Sequence, residues 1–540
     1  MLSGWECCGF LNWKLRSYPS DFTIDYVPLK IFRAFDEYII AEKYKATFIF
    51  FAGYYNNSFF GGNYLAGRSV PTGIKGLDNV LGGGFPRNSI IIVAGNPGTG
   101  KTIFSAQFIY RGATEYGENG VYVSFAESRE SFIENMKQFG FDFEKLESEG
   151  KFRYLDFLTV REAAISAILD MILKEIERLK ARRLVIDSFS ALSQAFEREF
   201  DARIFIHAVL SRIVRQIGCT TILIDEIPYE TGYSGGGMEE FVADGIILLR
   251  AIEQDERLFR DLLIKKMRGK EITEDRLAFT LKGGFRVFPP FKSRMPTETR
   301  RFKPIEDGPD KFSTGSADLD KLLDGGYPKG STVLLEIGRD ISNMQYHLIL
   351  APTAWNFVAK NRGVIILPSS GINYDIVKSR IKIAGFPEDI IGSLVQLCIL
   401  EGLFQTRLEH VVRLEGYSIQ EDFQKYAKAS CNIRVKTGEP ILHIVGVDRI
   451  ISYYGVEGAL KILNTGASLV RENGDLLMAI LKPNMYGFSD ILNAIADVHL
   501  KIIRQHGALL LYGRKPRTRL YFVEADFSGG YPLPTLTPIL

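Results

Sequence analysis

The sequence predicts an α/β protein of two tandem modules, each a mostly parallel sheet with helices on both faces. Three observations carry this. Residues 72–92, TGIKGLDNVLGGGFPRNSIII, recur in altered form as residues 314–334, TGSADLDKLLDGGYPKGSTVL. Both keep T-G, L-D, a G-G before an aromatic-Pro pair, a basic residue and a β-branched run, which marks an internal repeat. Short apolar runs alternate with longer amphipathic ones, the pattern of strands joined by crossover helices. Between the copies, RVFPPFKSRMPTETRRFKPIEDGPDKF (286–312) carries several prolines and a Lys/Arg cluster, and it reads as a linker.

Taken in order, residues 1–65 form an aromatic-rich extension holding 18 of the aromatic residues, without regular periodicity. Two readings stay open: an extension that packs on a neighbour, or a gene start placed too early. Residues 66–286 are the first copy. Its expected strands are SIIIVA (89–94), GVYVSF (120–125), RLVID (183–187), TTILID (220–225) and GIILLR (245–250). Amphipathic runs such as SFIENMKQFG (131–140) and FIHAVLSRIVRQIG (205–218) supply helices. The linker is set at 287–312, the second copy at 313–528, and a Pro-rich tail at 529–540.

Bulk properties exclude several classes. A net charge of +2 over 540 residues argues against a dominant acidic or basic partner. The 5 cysteines form no C-x-x-C pair, which fits a reducing cytosol and gives no support for structural zinc. No apolar run approaches the ~18 residues of a membrane span, and no cleavable signal pattern stands at the N-terminus. A cytoplasmic location without membrane contact is the expectation.

The strand SIIIVA runs into Gly95-Asn96-Pro97-Gly98-Thr99-Gly100-Lys101-Thr102 and then into a helical run. This is G-x-x-x-x-G-K-T in the context that gives the motif meaning: strand, glycine-rich loop, helix start. The glycines let successive N–H groups converge on a phosphate, and the helix end adds positive potential. Lys101 is expected on the β- and γ-phosphates of ATP and the Thr102 hydroxyl on Mg²⁺. Asp187, at the end of RLVID, is expected to hold the metal's hydration shell. Glu127, just past GVYVSF, is expected to orient and polarise the attacking water.

The succession TGIKGLDNVLGGGFP, GNPGTGKT, VYVSFAES, RLVIDSFSAL, TTILIDE, EEFVADGIILLR and IKKMRG resembles the KaiC-like branch of the RecA-type ATPases. The resemblance is strong over about 70–285 and weak over 312–525. It implies two tandem RecA-like P-loop domains, ATP hydrolysis with Mg²⁺, and assembly of identical subunits into a hexameric ring. Where the family commonly carries two adjacent glutamates, this chain reads Ala126-Glu127. Lys266-Met267-Arg268 matches the family's K-x-R element, which implies a charge pair reaching the neighbouring subunit's γ-phosphate. Tandem copies with one intact loop and basic segments also resemble, more weakly, GvpD-type gas-vesicle regulators.

The second copy has lost this chemistry. IGRDISNMQ (337–345) places Asn343-Met344, or Met344-Gln345, where Lys101-Thr102 stand. Ser370 falls opposite Glu127 and Gly446 opposite Asp187, with Asp448 two residues on as a shifted alternative. The expected division of labour is one hydrolysing copy and one that scaffolds, assembles or docks a regulatory protein. The rival readings are a DNA-dependent recombinase and an ATP-binding scaffold with little hydrolysis. Nucleic acid is not favoured, because the candidate central loop (226–249) holds no Lys or Arg among residues 226–249 until Arg250. Basic residues do cluster in the linker (Lys292, Arg294, Arg300, Arg301, Lys303) and near the second copy's end (Arg514, Lys515, Arg517, Arg519).

Overall fold

A computed structural model of the chain describes residues 69–157, 165–193, 213–227, 243–292, 294–400 and 411–540. The chain divides into Met1–Tyr64 and Leu65–Leu540. The aromatic-rich extension, most of the 205–218 run and most of the 226–249 loop lie outside the described residues.

The first copy is built on strands β1 (Ile90–Gly95), β2 (Gly120–Ser124), β3 (Phe152–Asp156), β4 (Arg183–Asp187), β5 (Thr220–Glu226), β6 (Gly245–Gln254), β7 (Arg257–Met267), β8 (Arg276–Thr280) and β9 (Arg286–Phe288). Their order across the sheet is β9-β8-β7-β6-β1-β5-β4-β2-β3. The strands from β6 to β3 are parallel, and β7, β8 and β9 add antiparallel at one side. Central strands are buried on both faces, so they read as unbroken aliphatic runs. Alternation still sorts their side chains. Ile91 and Val93 join one core with Phe104, Phe108 and Phe132, from helices α1 (Lys101–Glu115) and α2 (Arg129–Lys137). Ile90 and Ile92 join another with Ile168, Ile172 and Ile176 of α3 (Ile165–Leu179).

The second copy repeats the plan. Its strands are β10 (Ser331–Ile337), β11 (Val364–Leu367), β12 (Val395–Leu400), β13 (Val411–Leu414), β14 (Leu442–Gly446), β15 (Leu476–Leu481), β16 (Val498–Gln505), β17 (Ala508–Lys515), β18 (Tyr521–Asp526) and β19 (Leu533–Pro538). The order β13-β12-β11-β14-β15-β10-β16-β17-β18-β19 matches the first sheet strand for strand, with β13 added at one edge. Helices α4 (Asn343–Ala359), α5 (Ile419–Thr437) and α6 (Val447–Asn473) are its longest. The chain is therefore two tandem RecA-like α/β domains.

Two segments differ from the expectation. The stretch read as a Pro-rich tail contributes β19, which pairs antiparallel with β18. It tolerates Pro534 and Pro538 because an edge strand needs partners on one side only. The stretch read as a linker begins inside the first sheet at β9, and its Phe302 is buried against Trp355 and Tyr531 of the second copy.

The copies also share an apolar cluster of Phe259, Ala278 and Phe288 with Leu510, Tyr512, Phe522 and Ile539. Phe288 and Phe522 stack with centroids 3.7 Å apart. Around it, Arg286 pairs with Glu524 at 2.5 Å, and Arg257 donates to the Thr518 and Gly513 carbonyls at 2.7 and 2.9 Å. This contact joins the antiparallel side of one sheet to that of the other.

Candidate nucleotide-binding site

Parallel β1 leaves its ladder at Gly95, and α1 begins at Lys101, so the glycine-rich loop spans the gap at the carboxyl end of the sheet. Gly98 and Gly100 take left-handed φ values of 76° and 99°, which favour glycine. A Cβ on Gly95 would lie 2.5 Å from the Leu249 carbonyl oxygen. The Asn96 amide donates to the Ile227 carbonyl at 2.9 Å, tying the loop to the end of β5. No side chain caps α1 at Gly100, so none competes with a bound anion for its first-turn N–H groups.

Lys101 is buried, and its ammonium donates to the Gly95 and Asn96 carbonyls, each at 2.9 Å. Burial lowers its pKa, against the pull of Glu226, Asp187 and Asp225. The Thr102 hydroxyl donates to Asp187 Oδ2 at 3.0 Å, and the Tyr122 hydroxyl donates to the same oxygen at 2.7 Å. Burial raises the Asp187 pKa, against the hydrogen bonds from Tyr122 and Thr102. Lys101, Thr102 and Asp187 are thus brought together at one end of the sheet. Tyr122 is the partner the sequence reading missed; only its place two residues before the end of β2 hinted at it.

Glu127 sits differently. Its Oε1 accepts from Ser131 Oγ and Asn135 Nδ2, both at 2.6 Å, so the carboxylate is held along α2. Its backbone N–H donates to Ser124 Oγ at 3.0 Å, which fixes the turn after β2. Lys266 and Arg268 do not join this group. Met267 is level with Gly245, and Gly245 with Ile91, whereas the loop leaves β1 at Gly95. Four residues of strand put them about 13 Å toward the other end of the sheet. Arg268 is exposed, 3.5 Å from Asp244.

The residues present fit a magnesium nucleotide. An uncapped helix start behind left-handed glycines suits phosphate oxygens. A hydroxyl beside a carboxylate supplies the hard oxygen donors that Mg²⁺ takes, one or two at a time, alongside water and phosphate.

The same place in the second copy is closed from within. Helix α4 starts at Asn343, so Asn343 and Met344 stand where Lys101 and Thr102 do. Ser342 caps it in a reciprocal box: its hydroxyl accepts from the Gln345 N–H, and Gln345 Oε1 accepts from the Ser342 N–H at 2.7 Å. The box takes up the Ser342 and Gln345 N–H groups at this helix start, where Gly100 of the first copy offers no side-chain cap. Lys482, following β15, donates to Asn343 Oδ1 at 3.2 Å and lies 4.5 Å from the Tyr346 ring centre. Gly446 ends its strand as Asp187 ends its own, but a Cβ on it would meet the Ser369 backbone at 2.5 Å. Asp448, the shifted alternative, is buried and accepts from the Ser370 N–H at 2.8 Å, so it fastens that loop. Arg517, which repeats the K-x-R spacing, donates to Glu256 of the first copy at 2.8 Å.

The KaiC ATPase family matches residues 70–290, and a family described as GvpD basic region 2 matches residues 301–384. A UPF0273 protein of Methanocaldococcus jannaschii is 36% identical over 238 residues, covering 41% of this chain and 97% of that protein. The circadian clock oscillator protein KaiC of Synechococcus elongatus is 35% identical over 288 residues, covering 52% of this chain and 53% of that protein. The chain thus spans about half the length of the KaiC relatives it matches. A KaiC-like protein of Pyrococcus horikoshii, of solved structure, is 38% identical over 41% of this chain and 99% of its own, with a TM-score of 0.37. With its P-loop, its KaiC family match and its likeness to the UPF0273 protein over nearly all of that protein's length, the chain belongs to the KaiC-like family of RecA-type P-loop ATPases.

Proposed function

We propose that the first copy binds and slowly hydrolyses ATP, and that its nucleotide state switches an assembly of identical chains and their regulatory partners. The observation that carries this is the meeting of Thr102 with Asp187 beside an uncapped glycine loop. Loop N–H groups and the α1 terminus bind phosphate oxygens, and Lys101 leaves its loop carbonyls to neutralise phosphate charge. Thr102 and Asp187 would hold Mg²⁺, which when bound screens the charge on the phosphate being transferred.

Glu127 is the proposed acceptor of the attacking water's proton. Its two hydrogen bonds at 2.6 Å must be exchanged first, which fits slow turnover. Lys266 and Arg268 lie too far from their own loop to reach it, which supports a role at a neighbour's site in a hexameric ring. The second copy, with its helix capped and Lys482 on Asn343, is proposed as a structural and docking domain. Among the described residues no helix is long and apolar enough to cross a membrane.

Phosphate release from ATP with Mg²⁺, compared between the full chain and Lys101→Ala, tests the reading. Equal rates would exclude hydrolysis at this loop.

A further inference from the structure

We propose that Arg260 is the positioning residue through which the second copy sets the phosphate loop, coupling that loop to β18 and β19. This rests on the ATP reading for its function, though not for its geometry. Arg260 lies on β7, two strands from β1. Its Nη1 donates to the Gly98 carbonyl at 3.0 Å, across 162 residues of sequence, and its Nε donates to the Leu540 backbone oxygen at 2.6 Å. A guanidinium is a planar fork of donors that is always charged, so it ties two backbone oxygens in fixed relation.

Both ends of this bridge are anchored. Thr280 Oγ1 donates to the Pro538 carbonyl at 2.8 Å and accepts from the Leu540 N–H at 3.4 Å. Ile539 is buried in the cluster shared by the two copies, and its N–H donates to the Leu520 carbonyl at 3.0 Å. On the loop side, Gly98 is left-handed, and no atom lies within 4 Å of where its Cβ would be. The loop apex is thus free of packing there and held by a hydrogen bond. Leu281, next to Thr280, packs under the same loop: a Cβ on Gly100 would lie 2.9 Å from Leu281 Cδ2.

The consequence is mechanical. When phosphate draws Lys101 off the Gly95 and Asn96 carbonyls, the apex shifts, and Arg260 carries that shift to residues 538–540 and the second sheet. By linkage, a partner that strains β19 changes ATP affinity by the same factor that ATP changes the partner's. Arg260 touches neither reacting atoms nor metal ligands, so it acts on the loop alone.

The test uses the full chain. Amide hydrogen exchange of residues 95–101 is measured without nucleotide in wild type, Arg260→Gln, Thr280→Val and the double variant. Thr280→Val removes both hydrogen bonds from Thr280 to 538–540, together with the one its Oγ1 accepts from the Lys282 N–H at 3.2 Å, and leaves Arg260 itself unchanged. Each single variant is expected to speed exchange at the loop by roughly tenfold, the worth of one charge-assisted hydrogen bond. The double variant is expected to add little, because both break one bridge. In ATP titrations, both raise KM several-fold with kcat kept within about twofold, and Arg260→Lys recovers part of the loss. Wild-type loop exchange in Thr280→Val, or independent addition of the two effects, overturns the proposal. The exchange arm needs no turnover, so its result stands even if the chain fails to hydrolyse ATP. Should Arg260→Gln not fold, Thr280→Val decides alone.

Discussion

Thr102 and Asp187, 85 residues apart in sequence, meet through a 3.0 Å hydrogen bond where α1 starts and β4 ends. Parallel β1 and β4 flank β5, so their carboxyl ends open on one side of the sheet. That topology, more than either residue alone, brings the hydroxyl and the carboxylate to one place at the carboxyl end of the sheet.

Asp187→Asn is therefore expected to separate stability from function. Burial raises the Asp187 pKa, so its native charged form is disfavoured relative to the unfolded chain. The sign follows: the folded state holds that proton more tightly, so this group costs stability as pH rises through its unfolded and then its folded pKa. Asparagine keeps an acceptor for Thr102 and Tyr122 without the charge. Scanning calorimetry without nucleotide should show Asp187→Asn more stable than wild type at pH 7, a gain that fades toward acid pH. Its Mg²⁺-dependent hydrolysis should fall about 100-fold or more.

Mixing Arg268→Ala chains with Lys101→Ala chains should restore part of the activity each lacks alone. A mixed assembly pairs an intact loop with an intact K-x-R element from its neighbour. Native mass spectrometry confirms mixing, and no rescue in confirmed mixed assemblies would remove the neighbour's role.

Glu118→Gln should destabilise the first copy through Arg183. That guanidinium is fully buried, donates to Glu118 Oε2 at 2.8 Å and to the Phe108 carbonyl at 2.7 Å, and lies 4.4 Å from the Phe108 ring centre. Removing the carboxylate charge leaves a buried cation uncompensated, at about 3 kcal/mol. Urea denaturation should show a lower midpoint with an unchanged slope.

Glu336 offers a pH test in the second copy. Burial, which raises its pKa, is outweighed by hydrogen bonds from His499 and Ser489 and by Lys501, and the value falls to about 2. A depressed carboxylate contributes stability above its unfolded pKa and loses it as pH falls through the folded one. Glu336→Gln should therefore be destabilising at pH 7, with the difference from wild type shrinking below about pH 4.5. A difference that stays constant from pH 7 to 3 would show that packing dominates instead.

What was legible in the sequence was local. GNPGTGKT announces its fold through spacing alone, and the repeated TG…LD…GG pattern announces the second copy. Long-range partners were not legible. Tyr122 reaches Asp187 only because β2 and β4 are neighbours. Arg260 reaches Gly98 only because β7 starts at the loop's end of the sheet. Glu127 kept its predicted place after β2, but its carboxylate follows Ser131 and Asn135, whose i+4 and i+8 spacing on α2 was available and unread. Leu533–Pro538 was hidden by its prolines, which usually argue against a strand and are tolerated at an edge.

The central claim is that one copy takes nucleotide and the other is closed by its own side chains. Equilibrium dialysis of the full chain against ATP and Mg²⁺ tests it most directly. The account predicts one nucleotide per chain in wild type, one in Lys482→Ala, and none in Lys101→Ala at the same ATP concentration. Two nucleotides per chain in wild type, or one remaining in Lys101→Ala, would contradict it.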